Sequence, residues 1–133
     1  MDKKENKIFL DRIREGEGTF IAEDIEPILH SFMSFQHLRV GVRDIMGKDD
    51  LRDCHRALSD VAEVCLREIA LRSYRYMIDK YGTPTITDGE GEENKRECGW
   101  TIVAMGKLGG REPNYHSDLD VVFLFDADGQ TEN

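Results

Sequence analysis

Asp118 and Asp120 stand two residues apart at the head of an apolar run, DLDVVFLF over 118–125, and a glycine-rich stretch, GKLGGRE over 106–112, precedes them. Read as a strand from Asp118, residues i and i+2 share one face, so both carboxylates project side by side. Two carboxylates that close repel unless a proton or a cation sits between them. An oxygen-only donor set selects magnesium or manganese. Gly109 and Gly110 permit positive φ and close approach of backbone to a phosphate. Lys107 and Arg111 add positive charge beside them, and Ser117 either bonds a phosphate oxygen or closes the loop. These types support phosphoryl or nucleotidyl transfer, which needs a triphosphate cradle, divalent cations and an aligned nucleophile. A two-metal site usually takes a third carboxylate. Asp126 is on the right face of the predicted strand but roughly 20 Å beyond Asp120, and Asp128 is no better placed. A lone D-x-D or Gly-Gly is weakly specific, because acidic pairs are also common as turn residues at strand starts.

The elements around these residues follow from periodicity. Gly99 to Met105 is β-branched enough for a strand. The second predicted strand runs from Asp118 to about Phe125. Leu119, Val121, Phe123 and Phe125 alternate with Val122 and Leu124, which predicts burial on both faces except at the acidic start. Residues 127–133 form a polar tail.

Upstream the pattern is helical. Within 19–46, Ile25, Ile28, Leu29 and Phe32 make one stripe, and Phe35, Leu38, Val42, Ile45 and Met46 make another, with a break expected near Ser34. Pro27 belongs in a first turn, so the helix is expected to start near Glu26. Gly47 fits a C-cap. Arg39 and Arg43 form either a solvated basic edge or an electropositive face for a partner or nucleotide. Asp49 or Asp50 caps a short helix, Leu51 to Leu58. Ser59 or Asp60 then caps a long helix, about 60–82, with Glu63 completing a capping-box spacing from Asp60. Val61, Cys65, Ile69, Ser73 and Met77 share a face, flanked by Leu66, Ala70 and Tyr74, as expected of a helix packed on helices. Tyr74, Tyr76 and Tyr81 read as core or rim aromatics rather than a stacking platform, and His37 and His55 as surface residues. Gly82 and Pro84 stop the helix. The division is a charged arm (1–18), a helical segment (19–84), a mobile polar linker (85–98) and a strand-bearing part (99–133).

The net charge of −9, from 18 Lys+Arg against 27 Asp+Glu, argues against non-specific binding to nucleic acid or anionic membrane. Cys54, Cys65 and Cys98 are odd in number and lack metal-type spacing, so buried free thiols are expected. The charged start MDKKENKIF has no apolar run after it, which implies no signal peptide. No apolar run approaches the ~18 residues of a membrane span, so a cytoplasmic protein is expected.

GKLGGRE at 106–112 followed by SDLDVVFLF at 117–125 resembles the core of the glutamine synthetase adenylyltransferase family, whose nucleotidyltransferase fold is related to DNA polymerase β. LRVGVRDIMG at 38–47, LSDVAE at 58–63 and YGTP at 81–84 look like the helical lead-in of its domains, so the resemblance covers about 30–127. It implies an α+β chain: a helical bundle segment followed by the first two strands of a nucleotidyltransferase sheet. Carried over by position, Asp118 and Asp120 are the catalytic metal ligands for Mg2+ or Mn2+, and Gly109, Gly110 and Ser117 line the triphosphate of ATP. The implied partners are glutamine synthetase, which carries the acceptor tyrosine, and a PII-type signal protein. One domain of such enzymes attaches AMP to that tyrosine; the other removes it by phosphorolysis. Pro113 and His116 depart from the family pattern and alter the loop more than the chemistry. The family's third carboxylate comes from a later strand, so the chain reads as a fragment that is inactive alone. Two alternatives remain: another nucleotidyltransferase, such as a PII uridylyltransferase, and a catalytically inactive helical interaction piece. The GKLGG turn favours the first family over the uridylyltransferases. Strands meant for burial predict that the helical part covers one face, or that 99–133 self-associates or is disordered.

Overall fold

A helical hairpin carries most of the core in this computed structural model, which describes residues 22–87 and 94–132. The expected arm at 1–18 and the middle of the expected linker lie outside the described residues. Helix α1 spans Ala22–Ile45 and α2 spans Leu51–Tyr81. Ile25 and Leu29 pack with Cys65, and Val40 packs with Cys54 and Leu58. The early part of α1 thus meets the later part of α2, so the pair is antiparallel, as its short connection requires. Full burial of each such aliphatic side chain contributes about 1.5–3 kcal/mol.

The buried face of α1 is Ile25, Leu29, Phe32, Gln36 and Val40, one unbroken stripe at steps of three and four. No break occurs near Ser34. The expected second stripe is exposed instead: Phe35, Leu38, Val42, Ile45 and Met46 all face outward, with Ile45 88% accessible. Gln36 takes the core position because its Oε1 accepts a hydrogen bond from Arg39 Nε at 2.9 Å, which satisfies the buried amide. The helix also starts earlier than expected, so Pro27 falls inside it. The missing Pro27 N–H forfeits a single backbone bond near an end whose first N–H groups are unpaired anyway.

Helix α2 is one element where two were expected. Asp50 caps it, accepting from Asp53 N at 2.8 Å, and Gly82 at φ 86° ends it. Ser59 does not cap. Its Oγ donates to the His55 carbonyl at 2.9 Å, and the side chain is fully buried, a bond that lets serine sit inside a helix. Asp60 and Glu63 have the capping-box spacing but use their carboxylates elsewhere, as described below.

The expected polar linker contains strands. β1 (Thr83–Thr87) pairs antiparallel with β2 (Lys95–Glu97) and with β5 (Gln130–Glu132), in the order β2-β1-β5. A separate hairpin joins β3 (Trp100–Ala104) to β4 (Val121–Phe125), with Trp100 opposite Phe125 and Ala104 opposite Val121. Between them lies a single helical turn, α3 (Gly106–Gly109). The architecture is α+β.

Burial of β4 on both faces is not observed. Val121 is half-buried, and Val122 to Phe125 are exposed. The first residues of β3 do meet the helices: Trp100 lies against Tyr74 with ring centroids 5.0 Å apart. A cleft of about 630 Å³ between α2 and the hairpin is lined by Leu66, Ala70, Leu71, Trp100, Ile102 and Leu108. Tyr74 also donates to Glu97 Oε1 at 2.7 Å, and burial followed by that contact pushes its hydroxyl up to about 12. Tyr76 and Tyr81 are exposed rim residues beneath Lys80. Cys54, Cys65 and Cys98 are free thiols, and burial pushes Cys65 up to about 11.

Candidate functional site

The stretch from Gly106 to Asp120 leaves the sheet at β3 and returns to it at β4. Met105 N donates to the Asp120 carbonyl at 2.8 Å, which extends the β3–β4 ladder by one rung. The strand itself begins at Val121, so Asp118 and Asp120 lie in the irregular stretch before it. Strand alternation therefore does not fix the two carboxylates on one face, as the sequence reading had it. Both residues are exposed.

Asp120 has a defined neighbour. Gly106 takes φ 53°, and a Cβ there would lie 2.5 Å from Asp120 Oδ2. The carboxylate occupies the space that any other residue at 106 would fill. Gly109 serves a different close approach: a Cβ on it would meet the Ala104 carbonyl at 2.6 Å. Neither Gly109 nor Gly110 uses positive φ, and Gly110 sits at φ −76°. Their N–H groups are donated within the turn, Gly109 to Met105 O at 2.8 Å and Gly110 to Gly106 O at 3.0 Å. Leu108 is buried and plugs the turn into the cleft, whereas Lys107 points to solvent.

Ser117 is used within the loop, whereas Arg111 reaches out of it. Ser117 Oγ accepts from Asn114 N and donates to Asn114 Oδ1, each at 2.9 Å, closing a tight turn. Arg111 adopts φ 54° and reaches to α2, where its two terminal nitrogens bond Asp60 and Glu63. These are the two carboxylates freed from capping.

Tyr115 is a second tether that sequence reasoning missed. Its ring packs on the Val40, Cys54 and Leu58 cluster, and its hydroxyl donates to Asp44 Oδ2 at 3.3 Å. His37 meets it edge-on at 6.4 Å, and burial, then the nearby His116, lowers the His37 pKa. Gly41 leaves room for the ring, which lies 3.9 Å from where a Cβ would be. That is ordinary van der Waals contact, so the ring does not require a glycine there, and no sequence pattern marks Tyr115 as a tether.

Arg39 and Arg43 do not make an electropositive face. With Arg56 they share a cleft with Asp49, Asp53 and Asp60, three charges of each sign. Arg43 Nε donates to Asp49 Oδ2 at 2.6 Å. Asp126 is likewise committed, accepting from Arg96 Nη1 at 2.6 Å and from Gly99 N at 3.0 Å. Among the described residues no group of three His, Cys, Asp or Glu side chains is placed to hold a metal ion, and no helix is long and apolar enough to cross a membrane.

The family model for glutamate-ammonia ligase adenylyltransferase matches residues 7–133. The bifunctional glutamine synthetase adenylyltransferase/adenylyl-removing enzyme of Shewanella loihica is 37% identical over 112 residues, covering 83% of this chain and 11% of that protein. The enzyme of the same name from Shewanella oneidensis is 32% identical over 132 residues, covering 98% of this chain and 13% of that protein. That of Pseudomonas syringae pv. tomato is 34% identical over 113 residues, covering 83% and 11%. The chain thus spans 11% to 13% of the length of these relatives. No solved structure matches it.

Proposed function

Because the chain belongs to the glutamate-ammonia ligase adenylyltransferase family, we propose that it supplies the acidic edge of a nucleotidyl-transfer site that either moves AMP from ATP to a tyrosine of glutamine synthetase or removes it from that tyrosine by phosphorolysis. The observation that carries this reading is the pair Asp118 and Asp120. Both are exposed, Asp120 lies against Gly106 of the Gly106–Gly109 turn, and among the described residues neither side chain is taken by a protein cation.

The donor set suits Mg2+ or Mn2+. Magnesium is commonly held by one or two carboxylates together with substrate phosphates, and two carboxylates are what this edge offers. When bound, the cation neutralises charge on the phosphate oxygens. Asp118 and Asp120 would hold it, and Gly106 keeps the space that Asp120 needs. Lys107, solvent-facing on the same turn, offers a mobile point charge to the triphosphate. Gly109 and Gly110 contribute the tightness of the turn, since their N–H groups are used inside it. The acceptor oxygen belongs to the partner, so none of the tyrosines here has to act as nucleophile.

One observation favours a second reading for the chain by itself. No third acidic ligand stands near the pair among the described residues, which suits a helical interaction piece with an incomplete site. A chimaera separates the two. These 133 residues replace the matching segment of the Shewanella oneidensis relative, and both label transfer from α-labelled ATP to glutamine synthetase and phosphate-dependent release of label from the labelled protein are followed. Both activities are expected, and Asp118→Asn with Asp120→Asn should abolish one of them. Two undiminished activities in that double variant would sink the proposal and leave the interaction reading.

A further inference from the structure

Arg111 is the one non-glycine residue, among those described, with a left-handed backbone, at φ 54°. A residue with a Cβ adopts that conformation only when its surroundings hold it there. Here the holding contacts are visible. Arg111 N donates to Leu108 O at 3.0 Å, and the guanidinium spans Asp60 and Glu63 of α2. The two acceptors are three residues apart and so share one face of the helix. A planar fork gives each carboxylate its own nitrogen, where a lysine has one nitrogen for both.

We infer that Arg111, together with Tyr115, is a positioning residue: it fixes the loop that presents Asp118 and Asp120 to a definite place on the helical hairpin. The role in presenting those carboxylates rests on the reading of them as the acidic edge proposed above. Arg111 leaves the turn immediately after α3, and Tyr115 plugs into the α1–α2 junction before the acidic pair begins. The loop is therefore held at two points by two different helical surfaces. The Asn114–Ser117 turn encloses Tyr115 and ends just before Asp118. Movement of α2 relative to the sheet would be passed to the acidic pair through this short tethered path.

Magnitude decides what kind of role this is. The Arg111 side chain is 43% accessible, and its partners 39% and 55%. Ion pairs that exposed add little to global stability. Their effect is local: they set where the loop sits, not whether the chain folds.

Amide hydrogen exchange on the whole chain tests this. The reporters are Glu112 N, bonded to Lys107 O at 2.9 Å, Asn114 N, bonded to Ser117 Oγ at 2.9 Å, and His116 N, bonded to Asn114 Oδ1 at 3.1 Å. The internal references are Leu66 and Ala70 within α2. In Arg111→Ala the reporters should exchange about tenfold faster while the references stay within about twofold. The isosteric pair Asp60→Asn with Glu63→Gln should do the same. Adding Arg111→Ala to that pair should change nothing more, because one interaction can be lost only once. Arg111→Lys should recover part of the protection. Reporter rates unchanged in Arg111→Ala, effects that multiply, or equal acceleration of the references would each overturn the inference. Mn2+ titration of the same chains reads the site separately. Binding that is insensitive to Asp118→Asn would remove the acidic-edge reading, while the exchange rates still decide whether Arg111 tethers the loop.

Discussion

The carboxylate of Asp120 lies where a side chain on Gly106 would begin, with Oδ2 2.5 Å from the position of a Cβ. Two residues on opposite sides of the loop's mouth are thereby bound to one arrangement. Gly106→Ala would have to strain a backbone at φ 53°, which costs roughly 1–2 kcal/mol, and would also push the carboxylate aside. Urea unfolding should show a lowered midpoint of that order. Mn2+ affinity should fall further than stability alone explains. An alanine variant with unchanged stability and unchanged metal affinity would show that neither constraint operates.

Tyr115 lends a larger, apolar anchor. Its ring covers the Val40, Cys54 and Leu58 cluster while its hydroxyl reaches Asp44 at 3.3 Å. Tyr115→Ala removes the packing and should cost about 1–3 kcal/mol, the range for a core truncation at a site only partly enclosed. Tyr115→Phe removes only a long hydrogen bond at the surface and should cost under about 1 kcal/mol. Thermal denaturation of the two variants distinguishes packing from hydrogen bonding. Equal losses would mean that the ring contributes nothing beyond its hydroxyl.

These two tethers mark the limit of what the sequence discloses. The helical hairpin, the β3 and β4 strands and the caps at Asp50, Gly47 and Gly82 are legible because periodicity and backbone preference act locally. The stripe Phe35, Leu38, Val42 and Ile45 is legible as apolar but its outward facing is not, because hydrophobic spacing says that a face is apolar, not which of two faces meets a partner. Gln36 is not legible as a core residue because the i, i+3 spacing to Arg39 allows the bond that makes a buried amide acceptable but does not say that the pair faces the core. Asp60 and Glu63 have a capping-box spacing, but their carboxylates answer to Arg111, about fifty residues away in sequence. The β1–β2 pairing lay hidden in a charged, aperiodic stretch because all three β2 side chains are exposed and leave no alternation to read. Asp118 and Asp120 could be located by type and spacing. The tethers that hold their loop are tertiary.

Acid should weaken the sheet through Asp126. The Arg96 side chain first, and the Gly99 N–H second, hold its carboxyl below the usual value. A folded-state pKa that is depressed adds stability above the unfolded value and loses it as pH falls through the folded one. The decline from this group thus begins near the ordinary carboxylate range, about pH 4, and completes below it. Asp49, held down by Arg43, behaves in the same sense. Asp126→Asn should flatten the acid limb of a stability–pH profile without altering its neutral plateau by more than the lost surface pair. An acid limb that is unchanged in both Asp126→Asn and Asp49→Asn would locate the acid sensitivity elsewhere.

Strand β4 presents apolar side chains on both faces, and among the described residues its outer edge is unpaired. Phe123 and Phe125, each 62% accessible, share a face with Ile102 and Trp100, the residues opposite them, and that face continues past the reach of α2. Val122 and Leu124 look the other way, beside Val103 and Thr101. A flat apolar edge of this kind pairs readily with another chain. Sedimentation velocity should therefore detect association that rises with concentration. Leu124→Lys places a charge on the open face, and Phe123→Lys on the other, with stability expected to stay within about 0.5 kcal/mol because both positions are already exposed. If edge pairing drives association, either lysine should restore a monomer. If only Phe123→Lys does so, association runs through the face beside α2. A parent chain that stays monomeric at every concentration would rule out self-pairing of β4, and the exposed strand would then have to be tolerated in water as it stands.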